Sequence, residues 1–132
     1  MNATFFLNSY DALDSFLLGL TAAEVDYPFG PNARVYRVLG KMFALVGEGG
    51  PVLTVNLKGP PEMNQMLVRD FEAITPGYHM NKQHWITVTL DGSVEDALLE
   101  ELAAQSHEIV VASLPRKQRE AYRELYTERD LP

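Results

Sequence analysis

Apolar residues recur along this chain with two different periods. Leu13, Phe16, Leu17 and Leu20 fall three and four apart and predict an amphipathic helix from about Tyr10 to Leu20, with Asn8-Ser9 placed to cap it. After a short extended piece, Glu24 to Phe29, and a turn at Gly30-Pro31-Asn32, the period shortens to two. Arg34 to Leu39, Met42 to Val46 and Val52 to Lys58 read as three strands, joined at Gly40-Lys41 and at Gly47-Glu48-Gly49-Gly50. In the third, Leu53, Val55 and Leu57 point one way and Thr54, Asn56 and Lys58 the other. Connections this short require antiparallel pairing.

Gly59-Pro60-Pro61-Glu62 opens a second helix, with Met63, Met66, Leu67 and Phe71 as its apolar stripe and an end near Ala73. A strand from His84 to Leu90 follows, its Ile86 and Val88 sharing a face with His84 and Leu90, and Trp85, Thr87 and Thr89 on the other. Asp91-Gly92 turns the chain, and Ser93 with Asp96 has the form of a capping box for a long helix with Val94, Leu98, Leu102, Ile109 and Val110 as core positions. Leu114-Pro115 breaks that helix before a last, highly charged one from Arg116 to about Glu128. The pattern predicts one α+β domain over 1–132, with an antiparallel sheet packed by helices and a charged terminal helix.

Composition narrows the chemistry. The 132 residues are 46% hydrophobic and 22% charged, an ordinary globular balance. With no Cys, disulfides, thiolate metal sites and a Cys nucleophile are excluded, and a cytoplasmic location is the expectation. No basic residue precedes Arg34, no apolar run approaches the ~20 residues of a membrane span, and no membrane association is expected. The net charge of -7 is uneven: residues 1–33 hold four acids and no Lys or Arg, 34–92 hold six bases against five acids, and 93–132 hold nine acids against five bases. An acidic chain lacks the positive field that non-specific nucleic-acid binding needs, although its middle third is mildly basic.

One stretch departs from the rest. Pro76-Gly77-Tyr78-His79-Met80-Asn81-Lys82-Gln83-His84-Trp85 gathers the only Trp, two of the three His, an Asn and a Lys, with no acid. If the strand faces are read correctly, Asn56, Lys58 and Trp85 share an outer sheet face, with His79, Asn81 and Lys82 at its edge. An aromatic ring beside cations suits single-stranded nucleic acid, where bases stack and phosphates pair. The plainer reading has Trp85 packed beneath a loop and Asn81 and His79 satisfying loop backbone. His79 and His84 lack a third metal ligand and the helical spacing of a zinc pair, and neither has an evident carboxylate partner for acid–base work. His107-Glu108 opens like a zincin motif, but Val111 stands where the second His is required. The glycines at 47, 49 and 50 join two strands and do not open a phosphate-binding helix, and Ser93 lacks the surroundings of a nucleophile elbow. The basic run Arg116-Lys117-Gln118-Arg119 is followed closely by Glu120, Glu124 and Glu128. Neither a catalytic constellation nor a cofactor or metal site emerges.

Several segments resemble the MmcQ/YjbR family of small bacterial proteins: Asp26-Tyr27-Pro28-Phe29-Gly30, Gly40-Lys41-Met42-Phe43-Ala44, Val55-Asn56-Leu57-Lys58, Pro76 to Trp85, Leu90-Asp91-Gly92-Ser93 and Leu114-Pro115. The Pro-Gly-Tyr-His-x-Asn-Lys-x-His-Trp run is the specific one, and the resemblance spans about residues 24–119. Gly59 stands where the family often carries a Cys. The resemblance implies an α+β domain with an antiparallel sheet of about five strands, in the order α-β3-α-β2-α, similar to the secretion-chaperone-like and frataxin-like folds. It also implies a DNA-binding description that rests on fold analogy. Two expectations follow. The first is a non-enzymatic nucleic-acid-binding module, weak and salt-sensitive, contacting its ligand through Asn56, Lys58, His79, Asn81, Lys82, His84 and Trp85. The second is a protein-interaction or chaperone-like module, monomeric or homodimeric, whose acidic helices meet a partner. Small-ligand or enzymatic use of the motif ranks below both.

Overall fold

The computed structural model describes residues 9–77 and 80–130, with side chains described up to Leu125. The chain runs α1 (Tyr10–Leu18), β1 (Ala23–Asp26), β2 (Ala33–Val38), β3 (Lys41–Gly47), β4 (Thr54–Lys58), α2 (Pro61–Asp70), β5 (Ile74–Pro76), β6 (Trp85–Thr89), α3 (Asp96–Ala112) and α4 (Arg116–Asp130). The six strands form one antiparallel sheet in the order β1-β2-β3-β4-β6-β5. The α+β architecture is as expected, with six strands where about five were predicted. The extended piece after Glu24 is edge strand β1, and Ile74–Pro76, hidden between a helix end and the motif, is edge strand β5. Among the described residues, no helix is long and apolar enough to cross a membrane.

Alternation assigns the faces. Tyr36, Val38, Ala44, Val46, Val55, Leu57, Ile86 and Val88 are buried toward the helices, in one core with Leu13 and Leu17 of α1, Leu67 of α2 and Leu99, Leu102, Ala103 and Val110 of α3. α3 packs along β2, β3 and β4, α1 against β1, and α2 against β5 and β6. The opposite face reads across the sheet as a register row: Asp26, Val35, Leu45, Asn56, Thr87, Thr75.

The first hairpin turns through Leu39 and Gly40, at φ 48° and 88°, one residue earlier than predicted. Positive φ at both central positions matches the right-handed twist of paired strands, and glycine takes it without steric cost. A bulge follows at once, where the β2–β3 register shifts between Tyr36 and Arg37. It turns Phe43 inward beside Ala44 and leaves Met42, Arg37's partner, on the outer face.

The helices depart from prediction where polar residues took core positions. Ser9 caps α1 as expected, its hydroxyl accepting from Ala12 N. In α2 Met66 is exposed, while Asn64 is buried beside Leu67. α2 ends at Asp70 because Phe71 is already extended. The buried stripe of α3 is Leu99, Leu102, Ala103, Ser106, His107 and Val110, at strict three- and four-residue spacing, with Leu98 and Ile109 on its flanks. Ser93 does not cap α3: its N–H and hydroxyl both donate to Asp91 Oδ1, and Glu95 holds the cap position without a side-chain bond. Asp91 does belong to the turn. Those two bonds hold its carboxyl below the usual carboxylate range.

Candidate functional site

Three of the seven candidate residues lie together on the outer sheet face. Lys58 and Trp85 are cross-strand partners in β4 and β6, as are Asn56 and Thr87 one step along the same face. Lys58 Nζ stands 6.0 Å from the centre of the Trp85 ring, within cation–π reach. Thr87 Oγ1 donates a hydrogen bond to Asn56 Oδ1, and both residues are buried.

The loop residues play another part. Asn81 Oδ1 accepts from Gln83 N and His84 N, and Asn81 O accepts from Trp85 N, so Asn81 shapes the entry into β6. Lys82 Nζ donates to Gly77 O at 3.1 Å and closes the loop on itself. His84 is exposed and lies just before the strand predicted to contain it. His79, with Tyr78, lies outside the described residues. Asn81 and Lys82 are thus engaged in holding the loop.

Asn64, which the sequence reading passed over, fixes that loop from the other side. From the first turns of α2 its amide nitrogen donates to Gly59 O and to Gln83 O, both at 3.0 Å. Helix, strand end and motif loop therefore meet at one side chain. A small hollow of about 320 Å³ lies there, lined by Pro61, Asn64, Gln65, Val68, Pro76, Lys82, Gln83 and Ile86.

A larger concavity is on the outer face. It is a cleft of about 1010 Å³ whose lining includes Met42, Leu45, Thr54, Asn56, Thr87 and Thr89 from the central strands and Thr75 from β5. Its borders come from three loops: Phe29 between β1 and β2, Gly49 to Val52 between β3 and β4, and Met80 between β5 and β6. Phe29 is 68% exposed and Val52 40%. Among the described residues, no charged side chain lines this cleft. The chain's acidity lies elsewhere: Glu95, Glu100, Glu101, Glu108, Glu120 and Glu124 are exposed on and around α3 and α4. Leu45 and Met42 were missed because the reading of Met42 to Val46 assigned no faces. Their signal was alternation, which sets Leu45 opposite Ala44 and Val46.

A second polar cluster is structural. Asp14 Oδ1 of α1 accepts from Tyr36 Oη at 2.6 Å and from Arg34 Nε at 2.8 Å, and Arg34 also donates to the Tyr27 hydroxyl. Burial, and next the bond to Asp14, push the Tyr36 phenol well above its ordinary pKa. Burial opposes the Arg34 charge, but its bonds to Tyr27, Tyr36 and Asp14 outweigh that and raise its pKa. This group pins α1 to β2.

Known proteins with similar sequence and structure agree with this architecture. The YjbR family profile matches residues 18–109. The uncharacterised protein YbdF of Escherichia coli O157:H7 is 37% identical over 106 residues, covering 80% of this chain and 87% of its own. The uncharacterised protein YjbR of Escherichia coli K12 is 36% identical over 88 residues, 67% of this chain and 75% of its own. The crystal structure of a Deinococcus radiodurans protein with a DUF419 domain superposes with a TM-score of 0.80 at 35% identity, over 86% of this chain and 87% of that one. On these matches in sequence and fold, the chain belongs to the YjbR family.

Proposed function

We propose that this protein is a non-enzymatic binding module that receives its ligand on the outer face of the sheet. One observation carries the reading: the cleft of about 1010 Å³, open on that face, uncharged and bordered by loops. A sheet face left to solvent ordinarily carries polar residues, whereas this one presents Met42, Leu45, Phe29, Val52 and Met80 around hydroxyls and an amide. Apolar walls with a few fixed polar groups are the usual make-up of a binding pocket. The cysteine-free composition suits a reducing compartment, and we take the cytoplasm as the place of action.

A neutral solvatochromic dye, Nile red, tests the reading. Its emission should shift to the blue and saturate with the wild-type protein, and Leu45→Glu, of unchanged circular dichroism, should abolish the shift. Dye binding that survives Leu45→Glu, or no binding at all, would overturn the proposal.

Binding of single-stranded nucleic acid is the second reading, favoured by the Lys58–Trp85 pair at the end of the same face. Against it stand the lack of a cationic side chain among the described residues that line the cleft and the engagement of Lys82 with Gly77 O. Titration of Trp85 fluorescence with short DNA and RNA strands separates the two. Saturable quenching that weakens with salt and vanishes in Lys58→Ala would favour nucleic acid.

A further inference from the structure

The chemistry of the cleft restricts its ligand. Because no charged side chain among the described residues lines it, a carboxylate, phosphate or ammonium entering it would lose hydration and gain no counter-charge from them. A volume of about 1010 Å³ is at the upper end of the range for small-molecule sites, ~300–1,000 Å³. Most of the floor comes from β3, β4 and β6, which have neighbours on both sides, and edge strand β5 contributes only Thr75.

One side chain on the floor is only half satisfied. Asn56 is 6% exposed, and its Oδ1 is occupied by the Thr87 hydroxyl. Its amide nitrogen has no hydrogen-bond partner among the described residues, although Asn56 lines the cleft. Fixing the oxygen fixes the amide plane, so the nitrogen is held as a donor in one direction. A donor held in this way and reachable from the cleft favours an incoming acceptor. The hydroxyls of Thr54, Thr75 and Thr89 lie around it, and Met42, Leu45, Phe29, Val52 and Met80 supply apolar surface.

We infer that the cleft is a binding site for a small, uncharged organic molecule with a carbonyl or amide oxygen on an apolar body, and that Asn56 Nδ2 is the donor that selects it. This rests on the outer-face reading above. The ligand's apolar body lies over Leu45 and Met42, and its acceptor oxygen takes the Asn56 N–H.

Backbone-amide NMR of the full chain with three probes of similar size tests it. Acetanilide carries the acceptor, toluene lacks it, and benzoate is charged. Acetanilide should shift the Leu45, Asn56 and Thr87 signals saturably, toluene should bind about fivefold more weakly, the equivalent of one net hydrogen bond, and benzoate should leave them unmoved. Asn56→Leu should lower acetanilide affinity about fivefold while sparing toluene. If Asn56→Leu does not fold, Asn56→Asp keeps the acceptor for Thr87, removes the N–H donor and should lose acetanilide similarly. Silence toward acetanilide, equal binding of benzoate, or undiminished acetanilide affinity in the folded variants would overturn the inference. So would shifts of the same signals on raising protein concentration alone, which would put a second copy in the cleft. Nile red binding that depends on Leu45, together with indifference to acetanilide, would sink this inference alone. Failure of Nile red would remove the reading beneath it.

Discussion

Lys58 and Trp85 face one another across the β4–β6 pair, the ammonium 6.0 Å from the ring centre. The pair closes one end of the outer face. Because Trp85 is the sole tryptophan, its emission reports this corner directly. Lys58→Ala removes the cation and lets water reach the ring. We expect a red shift of Trp85 emission and a loss of at most about 1 kcal/mol in denaturant unfolding, the range for a partly exposed cation–π contact. Lys58→Arg should restore both, and an unchanged spectrum in Lys58→Ala would show that the two do not interact.

Ser106 mends the sheet where the bulge opens it. The β3–β4 pairing ends at Ala44 and Leu57, and beyond it the Ser106 hydroxyl accepts from Lys58 N at 2.8 Å and donates to Phe43 O at 2.6 Å. One side chain of α3 thus replaces a missing rung of the ladder. Ser106→Ala strands a donor and an acceptor at once. With about 1–3 kcal/mol for each buried group left unpaired, the variant should lose ~2–6 kcal/mol and show faster hydrogen exchange at Lys58 N. A loss below 0.5 kcal/mol (roughly the floor for a net hydrogen bond) would mean that water or a local shift replaces the serine.

These two relationships show what was legible in advance. Strand alternation in Val52 to Lys58 and His84 to Leu90 gave the faces of β4 and β6, and therefore the neighbourhood of Asn56, Lys58 and Trp85. It could not separate ligand-facing groups from loop staples. Asn81 and Lys82 look like binding residues by type, and only geometry shows them bonded to Gln83 N, His84 N and Gly77 O. Ser106 and Asn64 went unread, and His107 was weighed only as part of a zincin motif, because a hydrophobic count skips polar residues, although Ser106 and His107 fall on the three- and four-residue spacing of Leu99, Leu102, Ala103 and Val110. β5 was hidden by its length of three residues, too short for alternation to register. The cleft was invisible for a different reason: its walls come from three loops far apart in sequence.

Gly77 sets how closely the motif loop can approach β6. Its N–H donates to Trp85 O at 2.9 Å, and a Cβ placed on it would stand 2.8 Å from Trp85 Cβ and 3.1 Å from Trp85 O. Those are backbone-anchored atoms that cannot swing aside. Gly77→Ala should therefore destabilise by about 1–3 kcal/mol, the usual cost of overpacking, and change Trp85 emission. The same substitution at Gly92, where a Cβ meets nothing within 4 Å, should leave Trp85 emission unchanged and act only through its positive φ of 90°. Equal spectral effects at both positions would show that the contact with Trp85 is not the cause.

His107 makes stability depend on pH in a direction the structure fixes. It is 5% exposed in the α3 stripe, its ring edge-on to Phe43 at 4.9 Å between centroids, with Nε2 2.8 Å from Thr21 O. That carbonyl accepts, so the neutral ring carries its proton on Nε2. Burial lowers the His107 pKa, and the Thr21 carbonyl and Glu108 oppose it only in part. The unfolded chain therefore takes up a proton here at a higher pH than the native one. Between the ordinary histidine pKa of 6.5 and the lower folded value, the unfolded state holds more protons, so stability rises with pH. This contribution is complete above pH 6.5 and is lost as pH falls through the folded value. Unfolding free energies measured from pH 7.5 down to 5, roughly bracketing an unperturbed histidine, should decline with a slope of at most about 1.4 kcal/mol per pH unit from this one proton. His107→Gln keeps a donor for Thr21 O and cannot titrate, so its decline should be shallower by that amount. A variant slope equal to the wild-type one would mean that His107 charges as readily inside the core as in the unfolded chain.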